Sequence, residues 1–280
     1  MGVKTNVSPT TLAPKAKAAR PPAQVALQLP RHRSRTWWRS LRDSLANLVF
    51  PPQCAFCSVE LDQPPSGPLL CVDCQRQLSP VVTRCPACAL PAPHLPTHDG
   101  RCPACRQDKP AFEQARVLGT YQNQVRDAVL RIKHAWFEPL AVSLGGLLAE
   151  RIVQSPLPAT ADLVVPVPMY WVRRLWRGTS AAQTLAEKLS AELSIPLADD
   201  LVRCTRWMAK QSSLPASERR DNVRGAYAVS SAYDIRGATI LVVDDVITTA
   251  ATCDEVARVL KRAGAERIFA AAVARSSGTV

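Results

Sequence analysis

Eight of the ten cysteines stand in four CxxC pairs: Cys54/Cys57, Cys71/Cys74, Cys85/Cys88 and Cys102/Cys105. Thirteen residues separate Cys57 from Cys71, and thirteen separate Cys88 from Cys102. The segment is therefore an internal duplication of CxxC-x13-CxxC. A CxxC knuckle sets two thiolates about one coordination edge apart, and two knuckles complete a tetrahedron with Zn–S bonds of about 2.3 Å. Soft thiolates select zinc over magnesium or calcium. Four sulfurs leave no position for water, so the spacing predicts two structural Zn2+ ions. A segment this short, with few large apolar residues, could not fold without such cross-links. Iron–sulfur clusters and disulfides are the competing uses of the same cysteines. Both consecutive and cross-braced pairing of the knuckles fit the spacing, and consecutive pairing is the preferred one. His94 and His98 lie nearby, but eight cysteines already suffice. Cys204 and Cys253 stand alone and read as small buried apolar residues.

The first thirty residues contain no uninterrupted apolar run of the signal-peptide kind. No stretch of about 18 apolar residues occurs, so no membrane span is expected. With cysteines spaced for metal, these features predict a reducing, cytoplasmic setting. The net charge is +12, and residues 1–50 hold nine Lys and Arg against Asp43 alone. Such a tail attracts polyanions through counterion release; a solvated tail with no fixed partner is the alternative.

Residues 1–36 are rich in Pro, Ala, Lys and Thr and read as a disordered basic tail. Residues 37–110 comprise an amphipathic helix, with Trp38, Leu41, Leu45 and Leu48 on one stripe, and the cysteine module. From residue 111 to 280 strand and helix patterns alternate. Strands are expected at 115–121, 162–168, 238–245 and 267–274. Helix faces are marked by Val125–Ile132, Leu140–Ile152, Ala182–Leu193 and Val256–Ala263, with Gly264 suited to the position after the last. Residues 206–225 show no period and read as a long loop. The alternation predicts an α/β fold, an open and mostly parallel sheet with helices on both faces.

The run TILVVDDVITTAAT (239–252) brings Asp244 and Asp245 to the carboxyl end of a buried strand. A turn of small residues, Thr248 to Thr252, then opens a helix. Backbone N–H groups at such a turn can cradle a phosphate, helped by the helix dipole and by the Thr hydroxyls. The paired carboxylates can accept hydrogen bonds from a vicinal diol or face a magnesium ion. A sugar phosphate carries both ends of that arrangement. A magnesium site of another kind, or a solvated strand end capping a helix, would use the same acids without the threonines.

VVDDVITTAAT resembles the ribose-phosphate signature of type I phosphoribosyltransferases. Preceded by a double zinc ribbon, it is identified as the layout of the ComF competence-protein family. FPPQCAFC (50–57), Lys133, VPVPMYWVRRLWRG (165–178) and the series Gln211, Leu214, Arg219, Asn222 extend the resemblance from about residue 37 to 275. It implies phosphoribosyl pyrophosphate with Mg2+ as ligand. Asp244 and Asp245 would hold the ribose hydroxyls, and Thr248, Thr249, Ala250, Ala251 and Thr252 would wrap the 5-phosphate. Arg173, Arg174 and Arg177 would face the pyrophosphate, unless they are an ordinary solvated loop. Residues 206–225 would cover the site. The chain departs from the family at Ala250, where glycine is usual, and at Thr179-Ser180-Ala181, where Phe-Asn-Gln is usual.

Three functions follow from these readings. The resemblance implies an accessory factor in DNA uptake for natural transformation, which would bind single-stranded DNA and a helicase or recombination partner. Alternatively it is an active phosphoribosyltransferase with an unknown acceptor, displacing pyrophosphate at the anomeric carbon. As a third reading it is a sugar-phosphate sensor without turnover.

Overall fold

A computed structural model describes residues 51–62, 67–92, 100–107, 109–155, 161–170, 180–208, 214–215 and 218–276. The elements in chain order are α1 (Val72–Leu78), α2 (Pro103–Gln107), β1 (Gln114–Thr120), α3 (Asn123–Arg131), a 3-10 turn (Ala135–Phe137) and α4 (Glu138–Val153). There follow β2 (Leu163–Pro166), α5 (Ala181–Leu193), β3 (Val202–Cys204), α6 (Arg219–Val223), β4 (Tyr227–Val229), β5 (Thr239–Ile247), α7 (Ala251–Arg262) and β6 (Arg267–Arg275). The expected helix at 36–49, the basic tail, His94 and His98 lie outside the described residues. Among those described, no helix is long and apolar enough to cross a membrane.

Four strands form one parallel sheet in the order β1-β6-β5-β2. Its strands are apolar along their length because both faces are covered. Ile240 and Val242 of β5, with Ile268 and Ala270 of β6, face a core shared with Val256, Ala257 and Leu260 of α7. The alternate residues Leu241, Val243, Phe269 and Ala271 face a second core with Val129 of α3, Leu144 and Leu148 of α4, and Leu185 and Leu189 of α5. A one-residue slip of either central strand would exchange the two sets. Helix α7 stops where Gly264 takes φ 104°; a Cβ there would stand 2.8 Å from Arg236 Cγ. That combination leaves glycine as the residue for the position.

The duplication read in the sequence is repeated in the backbone. Cys54 N–H donates to Val59 O at 2.8 Å and Cys85 N–H to Leu90 O at 2.9 Å. The residue after each of these knuckles, Ser58 and Ala89, takes positive φ. The second knuckle of each half leads into a short helix, α1 or α2. The first half is built into the larger core: Cys54, Leu70, Cys74 and Leu78 are buried in the same cluster as α3, α4 and α5. Arg131 reinforces that contact, donating to Phe56 O at 2.6 Å with its guanidinium 4.8 Å from the Phe56 ring. The second half has a small cluster of its own, Cys85, Ala87, Cys88, Cys102 and Cys105 with Leu90, and puts Ala89 into the core on the α7 side.

The stretch 206–225 departs from the single loop expected. It holds the helix α6 and connects β3 to β4, which pair antiparallel as a separate two-stranded sheet. Strands of three residues are too short to show a period, so no sequence pattern announces them. Cys253 is buried as expected, but Cys204 is only half-buried and its thiol donates to Arg206 O.

Candidate functional site

Strand β5 runs on past its neighbour. Its pairing with β2 ends at Pro166↔Val243, with a last bond from Val167 N–H to Val243 O at 2.8 Å. Pairing with β6 continues to Ile247↔Arg275. Among the described residues, Asp244 and Asp245 thus stand on a strand paired from one side only, beyond its last β2 partner at the sheet's carboxyl edge. Open parallel sheets bind ligands at that edge. Lys133, just beyond α3, reaches Asp245 with Nζ 3.0 Å from Oδ2, the two side chains being 26% and 24% exposed. Burial pushes the Asp244 carboxyl well above the usual carboxylate range, and the Asp245 charge pushes the same way. The Asp245 amide, donating to Asp244 Oδ1 at 2.8 Å, and Lys133 only partly oppose this. Two unlike carboxyl groups result, one ion-paired and one resisting ionisation until a cation or a donor arrives.

The chain then turns through Thr248, Thr249 and Ala250 into α7. Ala250 occupies the N-cap position at φ 66° and ψ 1°, and makes no side-chain capping bond. Left-handed backbone costs a residue with a Cβ roughly 1–2 kcal/mol, so the alanine adopts the glycine conformation and carries its strain. The Oγ1 of Thr249 is buried and has no hydrogen-bond partner. An unmet buried hydroxyl costs about 1–3 kcal/mol. Strain and an orphan hydroxyl meet at the start of a helix of 12 residues, whose dipole favours an anion there. Thr252 lies within the first turn of that helix, after Ala251.

The eight module cysteines form two groups, Cys54, Cys57, Cys71, Cys74 and Cys85, Cys88, Cys102, Cys105, so the knuckles pair consecutively. In each group the Sγ atoms lie within 4.8 Å of one another. All are free thiols. Cys57 and Cys71 are separated by 3.7 Å, as are Cys88 and Cys102. A disulfide would need about 2.0 Å, whereas a tetrahedron with bonds of about 2.3 Å has edges near 3.8 Å. The donor set therefore fits one tetrahedral ion per group. Burial opposes ionisation of Cys54, but backbone amides of Cys57, Cys71 and Phe56 outweigh it and hold the thiol at about 6. A hydrogen bond from Cys105, working against burial, holds Cys88 at about 4, with help from the Leu90 amide and Arg275.

Arg275 joins the second group to the loop. It is 7% exposed. Its Nε donates to Cys88 O at 2.8 Å, and its Nη1 donates to Ile247 O at 3.0 Å. One buried guanidinium thus spans a CxxC knuckle and the end of β5. Ala111, after the module, donates its N–H to the Asp254 carboxylate of α7. Sequence reasoning passed over Arg275 because it ends a hydrophobic strand and carries no motif. Arg173, Arg174, Arg177, Thr179 and Gln211 lie outside the described residues.

The phosphoribosyl transferase domain family matches residues 179–279, the span holding the paired acids and their turn. Competence protein F of Haemophilus influenzae is 28% identical over 231 residues, which are 80% of this chain and 97% of that protein. DNA utilization protein YhgH of Escherichia coli K12 is 31% identical over 228 residues, 79% of this chain and 96% of that protein. This chain belongs to the ComF competence-protein family. A purine phosphoribosyltransferase from Pyrococcus horikoshii Ot3 overlaps 49% of the ComF-family chain and 73% of its own at TM-score 0.30 and 21% identity, too slight a likeness to argue from. The ComF assignment joins an α/β sheet of phosphoribosyltransferase type to a module with two metal-competent four-cysteine groups.

Proposed function

We propose that this ComF-family protein is an accessory factor in DNA uptake that binds phosphoribosyl pyrophosphate with Mg2+ at the carboxyl end of β5. The observation that carries the reading is the buried, unpartnered Thr249 hydroxyl beneath a left-handed turn, beside two carboxylates of unlike character. A 5-phosphate supplies the acceptor that Thr249 lacks, with α7 amides around it. Asp245, oriented by Lys133, and Asp244 receive the ribose hydroxyls. Magnesium, when bound with the donor, neutralises the pyrophosphate. In this reading both four-cysteine groups hold zinc, which soft thiolates favour and which leaves a closed, structural centre. The charge of +12 supplies the attraction for single-stranded DNA.

Calorimetric titration of the zinc-loaded chain with phosphoribosyl pyrophosphate and Mg2+ tests the site. Saturable heat is expected for the native sequence and its loss for Asp245→Asn. Ala250→Gly removes the left-handed strain, so it should bind the donor more tightly. Its stability in urea should rise by roughly 0.5–1 kcal/mol, the strain relieved less the greater freedom of unfolded glycine. Absence of heat from a folded, metal-loaded chain contradicts the reading. Release of pyrophosphate in the same cell marks a transferase, and heat without release marks a sensor.

A further inference from the structure

Two arginines from distant parts of the sequence close on the second four-cysteine group. Arg84, the residue before Cys85, donates from Nη1 to Ala89 O at 3.2 Å and from Nη2 to Thr120 Oγ1 at 3.3 Å. Arg275, the register partner of Thr120, donates from Nε to Cys88 O at 2.8 Å. Consecutive carbonyls at the end of one knuckle, Cys88 and Ala89, thus each receive a guanidinium. Among the described residues, every bond that Arg84 and Arg275 make goes to a backbone carbonyl or to the Thr120 hydroxyl, and none to a carboxylate. The Nε of Arg84 is buried with no hydrogen-bond partner. Burial pushes the Arg84 guanidinium down to about 10, and the charges of Arg151 and Arg275 push the same way.

Like charges gathered in a partly buried place are costly unless an anion stands near them. The cysteines supply it. Four thiolates around one divalent ion leave two negative charges in excess. All four cysteines of this group are buried, so water cannot screen that excess. Two guanidinium groups match it one for one. The first group is built differently. Its Cys57 is exposed and its Cys71 half-buried, so solvent reaches the sulfurs. Its first knuckle meets Arg131, which donates to Phe56 O at 2.6 Å and lies over the Phe56 ring.

We propose that Arg84 and Arg275 are the counter-charges of the second four-cysteine centre, which make its metal site electrically neutral and slow to release its ion, while the first centre faces water with its excess charge and releases its ion first. The proposal rests on the reading that both groups hold zinc. The test removes zinc from the fully loaded chain with excess EDTA, traps the freed thiols with iodoacetamide and locates the label by mass spectrometry. In the native chain Cys54, Cys57, Cys71 and Cys74 should label before the second group. Arg84→Gln should speed labelling of the second group about tenfold and leave the first within about twofold. Arg84→Lys keeps the charge and should stay closer to the native chain than Arg84→Gln does. Cys105→His keeps a fourth ligand while removing one thiolate charge. In that background Arg84→Gln should no longer speed release, because one lost cation offsets one lost anion.

Acceleration by the same factor in the native and Cys105→His backgrounds would overturn the proposal, since Arg84 would then act by packing alone. Equal speeding of both groups by Arg84→Gln would overturn it too. The zinc content before chelation separates this proposal from the reading beneath it. A folded chain that holds fewer than two ions contradicts the metal reading and the proposal with it, whereas two bound ions released at a rate indifferent to Arg84 contradict the counter-charge alone.

Discussion

Asp244→Asn will make the magnesium-free protein more stable at neutral pH while abolishing its affinity for the sugar donor. Burial and the Asp245 charge raise the folded pKa of Asp244. The folded state therefore holds this proton to higher pH than the unfolded chain, whose carboxyl titrates near pH 4. Above that point the unfolded state binds fewer protons, and stability falls as pH rises through the folded value. Asparagine keeps the shape and removes the titration. The variant should match the native chain below about pH 4 and exceed it increasingly at higher pH, read as a higher thermal midpoint. Thermal unfolding in buffer free of both magnesium and chelator makes the measurement, since a chelator would also attack the four-cysteine groups. Added Mg2+ and donor should reverse the order, because they stabilise only the chain that binds them. A native chain that outlasts the variant at every pH would show that Asp244 is held by structural contacts and not kept for a ligand.

Loss of metal from the second four-cysteine group will have a larger effect, and it will be felt at the sugar-phosphate turn. Apart from Ala89, which packs into the core on the α7 side, the buried cluster of that half is Ala87 and its own cysteines with Leu90 against them, too few to hold a fold. Structural zinc contributes on the order of 10 kcal/mol or more in small modules. When the knuckle at Cys88 collapses, Arg275 loses the carbonyl it holds at 2.8 Å, while its other bond is to the strand end at Ile247. The turn that follows is already strained at Ala250. Cys253, buried three residues beyond that turn, reports on it. Cys102→Ser should therefore speed alkylation of Cys253 by more than tenfold and weaken donor binding. Cys71→Ser should do far less to Cys253, because Leu70 and Leu78 remain packed in the α3–α4–α5 core. Mass spectrometry of the labelled protein distinguishes the two cases; equal labelling of Cys253 would dissociate the second metal from the turn. Acid should mimic metal loss, since protons compete for the thiolates that Cys54 and Cys88 present.

Much of this arrangement could be read before any coordinates, and the exceptions have physical reasons. The four parallel strands are long apolar runs, and the helices around them repeat every three to four residues, so periodicity located them. The two four-cysteine groups followed from the spacing, with consecutive pairing preferred over cross-braced pairing, because one tetrahedral ion would constrain four sulfurs. The acids and threonines of β5 and its turn were named because they are contiguous. Strands β3 and β4 escaped, being three residues each and paired across a stretch of 22 intervening residues, 205–226. Arg275 escaped because its meaning lies in carbonyls at residues 88 and 247, a long-range fact with no local trace. Of the two departures from the family pattern, the one at Ala250 is answered by the backbone: the left-handed turn persists without glycine.

A crystal structure of the zinc-loaded chain with phosphoribosyl pyrophosphate and Mg2+ would bear on all of this at once. The 5-phosphate should lie within hydrogen-bond distance of Thr249 Oγ1 and the first amides of α7, with the ribose diol on Asp244 and Asp245. A donor bound elsewhere, or a 248–252 turn that leaves the Thr249 hydroxyl unpartnered while ligand is present, would contradict the assignment of the site.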